Sequence, residues 1–240
     1  MNEEKLSEKK IVVKENKFIK WLDNYWYHYK WPTIIVTFFV VVIAVCLIQS
    51  ITNVEKDILI TYGGPEALEA DEKAAIERVL TENLPENFGN QGSEGKAGLI
   101  SYIIYSQEQI EDLRNQQKNV DTTFNSSEYS ALNSQYKTGN GSIYLLDRWM
   151  YDEIIEGDPK GERLKPLTEI FGETPAGAID AYAIRLGDTE IYKNSTELQI
   201  LPADTVICLH EQIVGQKDYD KEVEAFKKIA KIADAGESDE

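Results

Sequence analysis

Few side chains in this 240-residue chain have the types and the spacing that catalysis or metal binding requires. Its two histidines, His28 and His210, lie on either side of a long apolar run, so neither a histidine-based triad nor a multi-histidine metal site is available. No G-x-S-x-G or S-x-x-K sequence stands at a predicted strand-to-helix turn, although a serine–lysine pair stays open. Gly63 and Gly64 follow a predicted strand without the G-K-S or G-K-T of a phosphate loop. The sequence therefore disfavours an enzyme and predicts no cofactor.

Two further segments have spacings that occur in metal sites. The loop from Asn87 to Lys96 has the glycine rhythm of a calcium loop, but Asn, Gln and Ser occupy most positions where carboxylates are needed. Asp218 and Asp220 have the spacing used by metal-dependent sugar transferases, at a place where a helix N-terminus favours acidic residues. We interpret the first segment as a solvated turn and the second as a helix start, and we predict no metal site.

The elements that position any site alternate between short apolar strands and helices. The predicted strands are 57–62, 99–105, 142–146, 178–186 and 205–209. The predicted helices are 66–83, 108–117, 126–137, 148–155 and 218–233. This order predicts an α/β fold with a mixed, mainly parallel sheet flanked by helices.

Ligands of open α/β sheets bind at the carboxyl ends of the strands. The residues at the carboxyl ends of the first three predicted strands are Tyr62, Gly63, Gly64, Tyr105, Asp147, Arg148 and Trp149. Trp149 offers a stacking face and Arg148 a clamp for a carboxylate, so we expect this set to line a ligand cleft. The alternative is that Trp149 simply begins a packed helix.

Three stretches carry a resemblance to a known family. Residues 139–147 (GNGSIYLLD) resemble the strand of extracellular solute-binding proteins that ends at the cleft between their lobes. Residues 165–171 (KPLTEIF) are similar to the turn that follows it, and residues 181–186 (AYAIRL) to the strand that returns to the first lobe. The resemblance implies a reduced, membrane-tethered relative of the type 2 periplasmic-binding fold, of a kind found in Gram-positive anaerobes.

A membrane anchor is the clearest functional prediction. Residues 33–48 (TIIVTFFVVVIAVCLI) contain no charge, and with their neighbours they approach the roughly 20 residues that cross a bilayer as a helix. We divide the chain into a tail (1–32), a transmembrane helix (33–51), a connector (52–56), an α/β domain (57–235) and an acidic disordered end (236–240). A cleaved signal peptide would need a shorter leading region and a small-residue cleavage site.

Charge predicts the orientation of this span. Up to Ser50 there are seven lysines and five acidic residues, and the rest of the chain carries a net charge of −19 because the total is −17. Lysines before a span favour the cytoplasmic side, which predicts a cytoplasmic N-terminus and an extracytoplasmic domain. An acidic domain repels phosphate backbones, which argues against nucleic acid as a partner.

The tail is predicted to anchor as well. Trp21, Trp26 and Trp31 are interleaved with tyrosines, and lysines form a separate row, as in a helix that lies in the membrane interface. Pro32 then suits the first turn of the span. The alternative is a disordered tail with an aromatic belt at residues 25–31.

The two cysteines predict no disulfide and no lipid site. Cys46 lies within the span, where Val45 is too large for a lipoprotein box, and Cys208 lies in a buried-strand pattern. An outside domain without a disulfide favours a Gram-positive bacterium, whereas sequons at Asn125, Asn140 and Asn194 would matter in a eukaryote.

These features predict a single-pass membrane protein whose outer domain binds an extracytoplasmic ligand or a membrane-protein partner. One alternative is a structural subunit of a membrane complex, in which the span and aromatic residues do the recognising. The other is a membrane-tethered hydrolase with an unrecognised site.

Overall fold

The computed structural model describes residues 17–52, 56–89, 92–139, 141–158 and 161–233. Residues 1–16 of the predicted tail, 53–55 of the connector, part of the 87–96 loop, the Asn140 sequon and the acidic end lie outside these ranges. The chain forms two compact units, residues 1–54 and 55–240, and each is considered by itself.

In the first unit, the described residues form the helix α1 (Lys17–Thr52). Its stretch Tyr25–Leu47 is 23 residues long and apolar enough to cross a membrane. Pro32 lies inside α1, so the aromatic segment and the apolar segment form one continuous helix instead of a new helix beginning at the proline. A proline inside a helix removes one backbone hydrogen bond. The apolar residues on its C-terminal side nevertheless continue the helix.

The second unit has a five-stranded sheet with the order β2-β1-β3-β5-β4. The strands are β1 (Ile58–Gly64), β2 (Ala97–Ile103), β3 (Ile143–Leu146), β4 (Ala183–Arg185) and β5 (Val206–Leu209). β1 runs parallel to both β2 and β3, whereas β5 runs antiparallel to β3 and β4. The predicted α/β class and the mixed sheet are therefore confirmed.

Helices cover both faces of this sheet. They are α2 (Ala70–Glu82), α3 (Gln107–Asn115), α4 (Thr122–Thr138), α5 (Arg148–Gly157), α6 (Leu167–Phe171), α7 (Glu190–Asn194) and α8 (Tyr219–Ile229). One apolar cluster joins residues of α2 and α8, such as Ile76 and Phe226, to Ile60 of β1. A second cluster joins Leu132 of α4 and Met150 of α5 to the opposite face. The sheet is thus buried between two layers.

Local chemistry explains where several helices begin and end. Ser106 and Gln109 form a reciprocal capping box at the start of α3, and Asp121 accepts backbone N–H groups at the start of α4. α4 ends at Gly139, whose φ of 65° lies in the left-handed region that glycine adopts without strain. Asp218 and Asp220, whose spacing occurs in some metal sites, belong to the start of α8. Asp218 precedes this helix and Asp220 lies in its first turn.

The segment 178–186 was expected to be one long strand, and the structure differs. Only Ala183–Arg185 form β4, because the residues before it fold back along it. The Ile179 N–H donates to the Ala183 carbonyl at 2.8 Å, and the Asp180 carboxylate accepts from the Tyr182 N–H. Residues 165–171, expected to be a turn, contain the short helix α6.

Side chains of α2 cap the first half of the outer edge of β2. The Ala97 N–H donates to Thr81 Oγ1 at 3.0 Å, and the Leu99 N–H donates to Glu77 Oε1 at 2.8 Å. Lys56 Nζ lies 2.8 Å from Glu77 Oε2. Burial alone would raise the pKa of Glu77, but the Leu99 N–H and the Lys56 ammonium outweigh it and hold that pKa below its ordinary value.

Glu77→Gln is expected to destabilise the domain by about 1 kcal/mol near pH 7. A carboxyl group whose pKa is lower in the folded state stabilises the fold above its unfolded pKa of about 4.3. That contribution is lost as the pH falls through the folded-state pKa. Urea unfolding of the full chain in neutral micelles, followed by circular dichroism, should show the difference near pH 7 and its disappearance near pH 3. Glu86→Gln, in an exposed loop, is the control, and an equal Glu77→Gln effect at both pH values would contradict this account.

Candidate functional site

The end of β1 is buried and closely packed. Tyr62 is fully buried, and its hydroxyl accepts the Glu66 N–H at 3.2 Å. A Cβ atom on Gly64 would overlap that hydroxyl, and one on Gly63 would overlap the Leu132 side chain. Both glycines are therefore required by close packing at this position. Burial raises the pKa of Tyr62 well above its ordinary value, so its hydroxyl stays protonated.

Asp147 connects the ends of three strands. Its N–H donates to the Gly63 carbonyl at 2.8 Å, beside β1. Its carboxylate accepts the Trp149 N–H at 2.9 Å, which caps α5, and also accepts Gln109 Nε2 at 3.2 Å from the helix after β2. The Asp147 carboxylate therefore connects the first turn of α5 to the first turn of α3.

Arg148 and Trp149 occupy the first turn of α5. Arg148 Nε lies 3.0 Å from Asp152 Oδ1 in an exposed ion pair one turn along the helix. Trp149 is half-buried, and its ring lies 6.2 Å from that of Tyr129 on α4. Trp149 therefore lies at the start of α5 and packs against Tyr129 of α4.

The backbone of Tyr105 is paired with the side-chain amide of Asn125. Its N–H donates to Asn125 Oδ1 at 2.8 Å, and its carbonyl accepts Asn125 Nδ2 at 3.1 Å.

The structure brings Tyr62, Gly63, Gly64 and Asp147 together at the carboxyl ends of β1 and β3. Their polar atoms make contacts within the protein, and Tyr105 faces a separate apolar groove described below.

A surface depression lies between α4 and α5, and we call it the α4–α5 groove. Its volume is about 390 Å³. It is lined by Tyr129, Asn133, Tyr136, Lys137, Met150, Glu153, Ile154, Glu156, Gly157 and Arg163. Sequence reasoning missed it, although its residues recur at helical spacing on each helix. That spacing shows which residues share a face, but it does not show that the two faces lie side by side.

Both signs of charge border this groove. Lys137 comes from α4 and Arg163 from the segment after α5, whereas Glu153 and Glu156 come from α5. Met150 supplies a buried apolar floor. A molecule that carries both a carboxylate and an ammonium group would find partners for each.

Tyr136 lines the groove, but its hydroxyl oxygen is buried beneath the surface. It is only 3% exposed, and within the described residues its hydroxyl has no hydrogen-bond partner. A buried hydroxyl without a partner costs free energy, so its presence needs an explanation. Burial, with smaller effects from Cys208 and Asp158, raises the pKa of Tyr136, so the hydroxyl is available as a donor.

His210 is held by the backbone and does not line the groove. Its Nδ1 lies 2.7 Å from the Glu211 carbonyl oxygen, and its Nε2 lies 2.9 Å from that of Tyr136. Cys208 is fully buried in β5. Across the described ranges, no three His, Cys, Asp or Glu side chains are grouped in a way that could hold a metal ion.

Comparisons of the chain with known protein families, with curated proteins and with solved structures found no match.

Asp147→Ala is expected to destabilise the domain by about 1 kcal/mol, because α5 loses its N-cap. Asp147→Asn keeps an acceptor for the Trp149 N–H and should lose much less. Urea unfolding of the full chain in micelles measures both variants. Asp152→Ala, which removes only the exposed ion pair with Arg148, is the control and should change stability by less than about 0.5 kcal/mol. Equal stability of Asp147→Ala and the unmodified chain would contradict the capping role.

Proposed function

We propose that this chain is a single-pass membrane protein whose extracytoplasmic α/β domain binds a small zwitterionic ligand, such as an amino acid or a short peptide. The observation that carries the proposal is the α4–α5 groove, with its two signs of charge above an apolar floor. Its volume of about 390 Å³ falls in the range of small-molecule sites.

Each part of the groove matches one part of such a ligand. Lys137 and Arg163 pair with the carboxylate, and Glu153 and Glu156 pair with the ammonium group. The apolar side chain packs on Met150 and Ile154. The resemblance to solute-binding proteins supports the same class of ligand, in a domain too small for two full lobes.

The helix α1 supports the membrane part of the proposal. It contains 23 residues of sufficient length and apolarity to span a bilayer. The seven lysines before Ser50 and the −19 charge of the remaining chain favour a cytoplasmic N-terminus. The lipid bilayer is then the anchor, in the cell membrane of a Gram-positive bacterium, and nucleic acid is not a partner.

A role as an assembly subunit is the second candidate. Trp21, Tyr25 and Tyr29 stack in succession along α1, with ring centroids 5.8 Å and 5.3 Å apart. Such an aromatic row on an exposed helix face favours contact with a neighbouring membrane helix as well as with headgroups.

The topology predicts the behaviour of reporter fusions. Alkaline phosphatase fused after Glu240 should be active in whole bacterial cells, because this enzyme folds only outside the cytoplasm. The same enzyme fused before Met1 should be inactive. As a control, replacing the seven lysines of the first 50 residues with glutamines should weaken or reverse this difference. An active N-terminal fusion combined with an inactive C-terminal one would contradict the proposed orientation.

Ligand binding should raise the thermal midpoint of the full chain in neutral micelles. At a ligand concentration about 100-fold above the dissociation constant, the increase should be about 5–10 °C. The free amino acids and a panel of dipeptides are the probes. N-acetylated and amidated forms, which lack one or both charges, should give little or no increase.

Substitutions inside and outside the α4–α5 groove test whether the rise in thermal midpoint comes from binding there. Lys137→Ala and Arg163→Ala should weaken binding about tenfold or more, because each removes a charge-assisted contact with the carboxylate. Lys193→Ala, on the exposed surface of α7, should leave it unchanged. No increase with any probe, or an equal increase in all three variants, would contradict the groove as the binding site.

A further inference from the structure

The outer edge of β2 has a pattern of open and closed positions. The Ile104 N–H donates to the Gly64 carbonyl, and the Ile58 N–H donates to the Lys96 carbonyl. Backbone groups of successive strand residues point to opposite edges, so residues 98, 100 and 102 also face β1. The odd-numbered residues from 97 to 105 therefore present their N–H and carbonyl groups away from the sheet.

Side chains close this edge at both ends. At its start, Thr81 and Glu77 accept the N–H groups of Ala97 and Leu99. Lys56 Nζ also lies 3.2 Å from the Ala97 carbonyl oxygen. At the other end, the Asn125 amide pairs with both backbone groups of Tyr105, as a neighbouring strand would.

Ser101 and Ile103 remain open between these closed ends. Both are partly exposed, and no group in the described part of the chain pairs with their outward N–H groups. The opposite edge of the sheet is different, because residues 178 and 179 cover β4. An open edge presents donors and acceptors in the alternation that another extended backbone satisfies.

An apolar groove adjoins this open edge, and we call it the edge groove. Its volume is about 280 Å³. Its apolar lining comes from Ala67, Ile103, Tyr105, Leu113, Val120 and Phe124. Phe124 is 49% exposed although it is a large aromatic side chain. Because Ile103 belongs to both features, a strand added at the edge would have its side chains beside the groove.

We propose that an extended, basic peptide segment of another protein adds to this sheet at Ser101 and Ile103 and inserts an apolar side chain into the edge groove. The open backbone groups select an extended peptide because small molecules rarely supply alternating donors and acceptors at strand spacing. The net charge of −19 beyond Ser50 selects a basic segment.

A second copy of the chain fits this edge less well. Two such domains would each carry the same large negative charge and repel one another. This surface uses none of the residues that line the α4–α5 groove, so the proposal is independent of the small-ligand function.

The test measures binding of a fluorescein-labelled seven-residue peptide of alternating lysine and valine to the full chain in neutral micelles, by fluorescence anisotropy. Ser101→Pro removes one outward N–H at an edge position, where proline is tolerated in sheets. It should weaken binding about tenfold or more, because one hydrogen bond is lost and the ring obstructs the added strand. Ser101→Ala keeps the N–H and should stay within about twofold of the unmodified chain.

Two further comparisons keep the test decisive if Ser101→Pro does not fold. Phe124→Ala, at an exposed position, should weaken binding about threefold to tenfold by removing apolar contact. The same peptide with alternate backbone N-methyl groups, or with glutamate in place of lysine, should not bind measurably.

Three results would overturn the proposal. The first is no binding of the lysine–valine peptide to the unmodified chain, and the second is equal binding to the folded Ser101→Pro variant. The third is self-association of the chain that Ser101→Pro abolishes, since the edge would then pair with a second copy. If no amino acid binds in the α4–α5 groove, the small-ligand proposal fails, but the results of this peptide test keep the same meaning.

Discussion

The pairing of β1 on both of its edges is the constraint on which the rest of the domain depends. β1 lies parallel between β2 and β3, and every residue from Ile60 to Gly64 is buried. Burial of one large apolar side chain contributes about 1.5–3 kcal/mol, so helices on both faces are held against this strand. Its register fixes which residues meet at the carboxyl ends of the strands. It also fixes which backbone groups of β2 point outward.

Because of this register, the strand ends are filled by internal packing, and the surfaces that could bind another molecule lie beside them. At the strand ends, Gly63, Gly64 and Asp147 meet so closely that their polar groups are engaged within the protein. Recognition is therefore expected at surfaces beside this point, where the helices leave space. The α4–α5 groove has charges of both signs and suits a small zwitterion, whereas the edge groove is mainly apolar and adjoins open backbone groups.

The sequence predicted the elements better than their arrangement. The strand at 57–62 and the helix at 126–137 were found within a few residues as β1 and α4, because a short apolar run and a glycine that ends a helix are both local signals. The reversal of β5 and the return of residues 178–182 along β4 depend on long-range pairing, which no local period encodes. The α4–α5 groove was missed for the same reason. The residues predicted to form a cleft lie at strand ends or close after them, and spacing alone does not reveal the internal contacts that Tyr62, Gly64 and Asp147 make there.

Residue-resolved hydrogen exchange of the full chain in micelles tests the register of β2 most directly. The account predicts slow exchange at Tyr102 and Ile104, whose N–H groups face β1, and fast exchange at Ser101 and Ile103. Leu99, whose N–H is capped by Glu77, should exchange at an intermediate rate. Uniform protection from Ser101 to Ile104, or protection of Ser101 and Ile103 instead of Tyr102 and Ile104, would contradict both the register and the open edge.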